Sequence, residues 1–549
     1  MTPGGIEFDP RTERETILIS HAVEGDWPNG ASRHPSFSQD RQLATVAAFD
    51  SEASNIVEGD TNGVTDVFAV LRSPPYDLDG PKWRPHSTIR VSVGPGGQQA
   101  DGPSYLPSVS GSQHVRPRCV AFISDASNLV AGDTNGRADA FLYWIDRRVT
   151  QRVSVGSRGE QSDGDTVQVK VDGGCRRVAF VSDASNLALT RTSNPRWRPA
   201  VTASPPPGTR QAYVRVLGRK GNNAGLHGLT FLASASNGRR PASTGAGDIT
   251  LARESFLCRK GRRCGDWGAE ALFFSSDATN LSKGKSQAGH DVYKRELGTV
   301  GARRRKGKGA RARAAKAPTV PRPPFALALR TRLVTAGANG PSTQPASDAR
   351  GRYVAFTTLA DNLVHTDDNA FSDVVRADSQ PKRTRFVWVS RSAAIGSPGN
   401  GNSAQPSTGR PGSPVFFTSE AANLQPNNPS LHGFHDRNAV ADVFFWNIVS
   451  RNVSLESRDS ENHIPNLPED WGRRHRTAQR PPVLSAPSHS PAGSAYGNYM
   501  LFESGYPLLD LNVAGALLPE LTYEPRQAAL IGRRDPAFNQ VYLRYIGPR

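Results

Sequence analysis

Two loops carry the densest pattern of oxygen donors in the chain. One reads Gly59-Asp60-Thr61-Asn62-Gly63-Val64-Thr65-Asp66, the other Gly132-Asp133-Thr134-Asn135-Gly136-Arg137-Ala138-Asp139. Asp367, Asp368, Asn369 and Asp373 form a looser third version. Carboxylate and amide oxygens at alternating positions around a glycine turn suit Ca2+. Asp60, Asn62, Asp66, Asp133, Asn135 and Asp139 are therefore the candidate metal ligands, and calcium is the one cofactor in view. The spacing is not that of an EF-hand, and the terminal bidentate glutamate is missing. Hairpin capping accounts for the same residues more simply, with the last Asp opening a strand.

Other reactive arrangements are sparse, and no catalytic residue is assigned. His432, His435 and Asp436 lie close together but outside any HExxH pattern, and read as surface residues. The nearest approach to a nucleophile elbow, Gly284-Lys285-Ser286-Gln287-Ala288, lacks the strand–turn–helix setting that an elbow requires. No phosphate-binding or dinucleotide fingerprint occurs. Of the four cysteines, Cys258 and Cys264 bracket a short loop that a disulfide could close; two unpaired surface thiols are the alternative. No pair has the close spacing of a zinc site.

The formal net charge is +17, and much of it sits in one run. Arg303, Arg304, Arg305, Lys306, Lys308, Arg311, Arg313 and Lys316 fall together with no acidic residue among them. The surrounding stretch 298–324 reads as a disordered basic insertion. It could hold an anionic partner such as nucleic acid, acidic lipid or a wall polymer, or serve as a solubilising linker. No aromatic residue interleaves the charges, so base stacking is unsupported.

The elements that must position these residues come from a repeat. VAAFDSEASN, VAFISDASN, VAFVSDASN, LFFSSDATN, VAFTTLADN and VFFTSEAAN recur along the chain, with a weaker seventh copy, MLFESGYPL. Their aligned aromatics are Phe49, Phe122, Phe180, Phe274, Phe356, Phe417 and Phe502. Each copy reads as a buried strand. The closing Asn suits a corner, where it tolerates left-handed backbone and bonds its own main chain. Second and third strands follow, such as Asp66-Val67-Phe68 and the run ending at Val93, and a Gly/Ser/Pro-rich stretch leads to a short first strand such as Pro107–Ser110.

Abundant glycine (52) and proline (42) agree with many short strands joined by turns. Four-stranded units of this kind bury both faces only by packing radially. The seventh unit ends at residues 540–546 without its last strand, while Thr16–Ser20 forms an orphan of that type near the other end. The expected fold is therefore all-β: one seven-bladed propeller domain over 1–549, closed by pairing the N-terminal strand with the C-terminal blade.

The segments VAFISDASNLVAGDTNGRADAFLYW and TQRVSVGSRGEQSDGDT resemble the PD40, or TolB-like, propeller repeats of bacterial proteins, which are WD40-like. The resemblance implies a binding or scaffold propeller; a protein or polymer ligand and a monomeric chain are expected. An enzyme acting on glycan or peptide over the central channel, and a calcium-stabilised propeller, are the alternatives. It also implies an exported or cell-envelope location. The visible N-terminus shows no signal peptide, and no run of eighteen apolar residues could span a membrane.

Overall fold

The computed structural model describes residues 16–23, 28–40, 44–72, 87–188, 201–217, 228–254, 271–283, 289–297, 330–364, 367–380, 384–392, 396–410, 414–425, 440–458, 487–505 and 539–546. Twenty-eight strands form seven four-stranded antiparallel sheets. Strand β1 (Thr16–Leu18) belongs to the last of them. Blade 1 is β2 (Ser32–Phe37), β3 (Val46–Ser51), β4 (Asp66–Leu71) and β5 (Thr88–Arg90). Blade 2 is β6 (Ser104–Val109), β7 (Cys119–Ser124), β8 (Asp139–Trp144) and β9 (Val149–Arg152). Blade 3 is β10 (Thr166–Val171), β11 (Arg177–Ser182), β12 (Gln211–Val216) and β13 (Thr230–Leu232). Blade 4 is β14 (Gly247–Leu251), β15 (Ala271–Ser276), β16 (Asp291–Glu296) and β17 (Thr331–Leu333). Blade 5 is β18 (Ser342–Ser347), β19 (Tyr353–Thr358), β20 (Asp373–Asp378) and β21 (Arg385–Trp388). Blade 6 is β22 (Ser403–Thr408), β23 (Val415–Ser419), β24 (Asp442–Trp446) and β25 (Val453–Leu455). Blade 7 is β26 (Ser488–Gly493), β27 (Tyr499–Ser504) and β28 (Gln540–Tyr545), completed by β1.

The first strands β2, β6, β10, β14, β18, β22 and β26 contact one another in sequence, and β26 contacts β2, so they form the innermost ring. The seven aligned phenylalanines sit on the second strands and are fully buried. In six blades that ring stacks or tilts against an aromatic on the third strand, as in Phe180 and Tyr213 at 5.5 Å. Blade 5 opposes Phe356 with Val375. Burying each such side chain contributes roughly 1.5–3 kcal/mol.

A polar clamp also repeats in every blade. The third strand opens with Asp66, Asp139, Gln211, Asp291, Asp373, Asp442 or Gln540, all buried. Its side-chain oxygen accepts the hydroxyl of Ser92, Ser154, Ser234, Thr335, Ser390, Ser457 or Ser20 at 2.5–2.8 Å. The same hydroxyl oxygen accepts the next backbone N–H of the third strand. The carboxylate thus has a buried donor, and the strand start has a fixed register.

Closure follows the same rule. Strand β1 pairs with β28 in the register Thr16↔Arg544, Ile17↔Leu543, Leu18↔Tyr542, and Ile19 and Ser20 donate on to Val541. Ser20 supplies the seventh clamp from the other end of the chain. No free edge remains between first and last blade.

One expectation meets a different structure. The repeated Asn does not adopt left-handed backbone. In five blades its amide instead spans to the loop delivering the inner strand: Asn128 donates to Gln99 O at 2.8 Å and accepts from Asp101 N at 3.2 Å, and Asn186, Asn280, Asn362 and Asn423 do the same. That loop has unpaired peptide groups, which the Asn satisfies. The disulfide in the described residues joins Cys119 to Cys175, across blades 2 and 3; Cys258 and Cys264 lie outside the described residues. Among the described residues, no helix is long and apolar enough to cross a membrane.

Candidate functional site

The ring of first strands encloses a central channel, and its lining follows from a short motif. Five of these strands carry proline at the fourth position: Pro35, Pro107, Pro345, Pro406 and Pro491. An innermost strand has one unpaired edge, so a missing N–H costs no ladder bond there. A bulge precedes the proline position, and it places His34, Leu106, Asp248, Gln344, Gln405 and Ser490 at positive φ, between 41° and 55°. Backbone of this kind costs on the order of 1 kcal/mol per residue outside glycine.

That cost is offset by hydrogen bonds between blades. Glu503 accepts from His34 N at 2.7 Å, Asp50 from Leu106 N at 2.8 Å and Gln168 from Ile249 N at 2.8 Å. Asp248 accepts from Gln344 N at 3.3 Å, Gln344 from Gln405 N at 3.0 Å and Gln405 from Ser490 N at 3.0 Å. Each bond joins one blade to the next, so this upper belt covers six of the seven steps. Leu106 and Ile123 occupy the acceptor positions at the step from blade 2 to blade 3, the same step that the Cys119–Cys175 disulfide spans. A backbone N–H can only donate, so the amide oxygens of Gln168, Gln344 and Gln405 face the belt. Their NH2 ends remain as donors beside the belt.

A lower belt lies beneath. Ser36 accepts from Val109 N, Ser108 from Val171 N and Ser407 from Gly493 N, at 2.9–3.1 Å. Below it, the turns between first and second strands bond to each other: Gly111 N to Gly173 O, Gly173 N to Arg253 O, Glu254 N to Ala349 O, Ala349 N to Gly409 O and Arg410 N to Ala495 O. The approach at Gly173 demands glycine, because a Cβ there would lie 2.9 Å from Arg253 O and 2.6 Å from Ser112 Cβ. These contacts knit the described turns into a floor at this end of the channel.

Two cations stand at the floor. Arg253 of blade 4 reaches across to blades 1 and 2, donating to Val109 O at 2.9 Å, Gly111 O at 3.2 Å and Phe37 O at 3.4 Å. Burial pulls it down to about 10. Lys170 has exposed surface, yet the walls around it and then Arg253 push it down to about 8. A side chain both exposed and desolvated is one that faces an enclosed lumen. Neither makes an ion pair among the described residues.

Nearer the opposite mouth lies a histidine–carboxylate group. The Nδ1 of His34 is 2.8 Å from Asp50 Oδ2, and that of His489 is 3.4 Å from Glu503 Oε2. Burial alone would pull His34 down, but the hydrogen bond and charge of Asp50, with Glu503, outweigh it and hold the imidazole above 6.5. Asp50 thereby orients His34 and leaves Nε2 directed away from the carboxylate.

The sequence candidates are placed elsewhere. Asp60 and Asp66 converge on Arg90, at 3.1 and 3.6 Å. Asp133 and Asp139 converge on Arg152, at 2.7 and 3.2 Å. Asn62 and Asn135 donate to Asp66 and Asp139 at 2.9 Å. The oxygens counted as metal ligands thus face a guanidinium on the fourth strand, and Asp66 and Asp139 open third strands as hairpin capping implies. Arg303, Arg304, Arg305, Lys306, Lys308, Arg311, Arg313, Lys316, His432, His435, Asp436 and Ser286 lie outside the described residues. Sequence reading did not single out the channel residues. The signal was the recurring Ser-x-x-Pro of the first strands, hidden in stretches that resemble loops.

No family model matches the chain, and no curated protein matches it. Solved structures do. The oligogalacturonate lyase of Vibrio parahaemolyticus is 9% identical, covering 97% of this chain and 96% of its own, with a TM-score of 0.43. An acylaminoacyl peptidase of Pyrococcus horikoshii is 10% identical over 89% of this chain, with a TM-score of 0.37. A putative TolB of Agrobacterium tumefaciens is 10% identical, covering 67% of this chain and 83% of its own, with a TM-score of 0.31. The chain spans about half the length of the acylaminoacyl peptidases it matches, 49% and 51%. These identities speak to the fold alone.

Proposed function

We propose that this chain is a non-catalytic binding propeller of the PD40 type, whose protein or polymer ligand delivers an anionic or acceptor-rich group into the central channel. The reading rests on Lys170 and Arg253, two enclosed cations at the channel floor that make no ion pair among the described residues. The NH2 groups of Gln168, Gln344 and Gln405 add donors along the way in. The ligand enters from the face of the β3–β4 and β5–β6 loops, because the floor lies at the other end. The run from Arg303 to Lys316 supplies a second contact for an anionic partner. The Cys119–Cys175 disulfide agrees with an oxidising, exported location. The test is a binding array of acidic and neutral peptides and oligosaccharides. Acidic members that bind and weaken with added salt are the expected result. Selection of neutral or basic members alone overturns the reading.

A second reading is favoured by the oriented His34–Asp50 pair, which could act as a general base in a hydrolase or lyase working on glycan or peptide. It predicts turnover of array ligands that His34→Gln abolishes while binding survives. Intact ligand after prolonged incubation excludes it.

A further inference from the structure

The two ends of the ring carry opposite charge. Strands alternate in direction, so the turns between first and second strands share the floor face with the turns between third and fourth strands. The remaining loops share the mouth face. Between its strands, the floor face holds twelve arginines and five acids among the described residues, a balance of +7. The mouth face holds eight basic residues and sixteen acids among them, a balance of −8. Asp40, Asp172, Glu254 and Asp348, four of the five floor acids, are at most 4% exposed. What the floor face shows to solvent is therefore mainly arginine. Arg147 and Arg148 in blade 2, Arg330 in blade 4 and Arg451 in blade 6 stand exposed on it.

Two hairpins on this face also expose aliphatic side chains. Val149 follows Arg147 and Arg148 and is 53% exposed; Val449 lies two residues before Arg451 and is 89% exposed. The turns share one backbone. Arg148 N donates to Trp144 O at 2.7 Å and Arg451 N to Asn447 O at 2.8 Å, and both arginines take left-handed φ, 54° and 61°. Asn447 Oδ1 accepts from Val449 N at 2.8 Å and Ser450 N at 3.2 Å, so the tip that presents Val449 is held in place. Blades 2 and 6 lie on opposite sides of the ring. A plane that meets both tips therefore runs along the whole floor face. Cations spread over a face, with aliphatic tips among them, suit a headgroup surface. A nucleic acid strand asks instead for a basic track with aromatic rings to stack on.

We propose that the floor face docks on a membrane surface of anionic phospholipid, with the arginines among the phosphates and Val149 and Val449 at headgroup depth. Guanidinium groups match phosphate oxygens in charge and geometry, and the attraction is collective and screened by salt. The acidic mouth face is repelled by the same surface, so docking turns the channel mouth toward solution. The attachment is independent of the channel and of what binds there.

The test is co-sedimentation of the full chain with vesicles of phosphatidylcholine, alone or with about 30% phosphatidylglycerol. The run from Arg303 to Lys316 would itself attract anionic lipid, so each protein is measured with that run intact and with its basic residues changed to Gln. Wild type is expected to bind only the anionic vesicles and to be released by about 0.5 M salt, in both backgrounds. Arg147→Glu, Arg148→Glu and Arg451→Glu together should weaken binding about tenfold or more. Val149→Ser with Val449→Ser should weaken it about threefold or more, and keeps the test open if the arginine triple does not fold. Arg137→Glu, Arg158→Glu and Arg240→Glu on the mouth face make the same charge change and should leave binding as in wild type. Failure to bind anionic vesicles at low salt, equal loss in the two arginine triples, or tighter binding to a DNA duplex than to the vesicles overturns the proposal.

Discussion

Ser92, Ser154, Ser234, Thr335, Ser390, Ser457 and Ser20 do the same work seven times, each bridging a buried acid or amide to the start of a third strand. Removing one hydroxyl strands a buried acceptor and a backbone donor. Ser154→Ala should therefore cost about 1–3 kcal/mol in a denaturant melt. Channel residues obey a different logic, because their polar groups serve both the belt and the lumen. His34 holds its proton more tightly in the folded protein than its ordinary 6.5. Its contribution to stability is full below about 6.5 and is lost as pH rises through the folded value. An NMR titration should place the His34 midpoint above 6.5, and Asp50→Asn should lower it. The clamp acids were visible in the sequence as strand-opening Asp and Gln. The channel acids were not, since Asp50 and Glu503 sit inside a motif whose obvious feature is its phenylalanine.

Among elements, β1 and the Cys119–Cys175 disulfide matter most, and they differ in how far sequence announces them. Strand β1 was legible because one unit lacked a strand and another stretch supplied its pattern. The disulfide was not, because Cys119 and Cys175 lie 56 residues apart and meet only when blade 3 packs on blade 2. It spans the step where the upper belt has Leu106 and Ile123 instead of polar acceptors. Reduction, or Cys119→Ser with Cys175→Ser, should cost about 2–4 kcal/mol and show first as faster amide exchange in blades 2 and 3. Leu18 is 2% exposed and pairs with Tyr542. Leu18→Asp should open the ring at β28, read as lost exchange protection there with the other blades retained.

For the whole molecule, ring closure creates what no blade has alone: a channel with belted walls, a floor of joined turns, and two cations with no ion pair among the described residues. The seven blades were readable from the spacing of Phe49 through Phe502, because each blade repeats one strand pattern. The channel was not, because it is built from single residues of different blades. Lys170 carries the central claim. It makes no ion pair among the described residues and sits where its charge is disfavoured, so Lys170→Met should leave the melting temperature unchanged or raise it slightly. The decisive measurement is the affinity of Lys170→Met for the acidic ligands that wild type selects from the array. A loss of about tenfold or more with unchanged folding is the predicted result. Equal affinity in the two proteins would contradict binding in the channel.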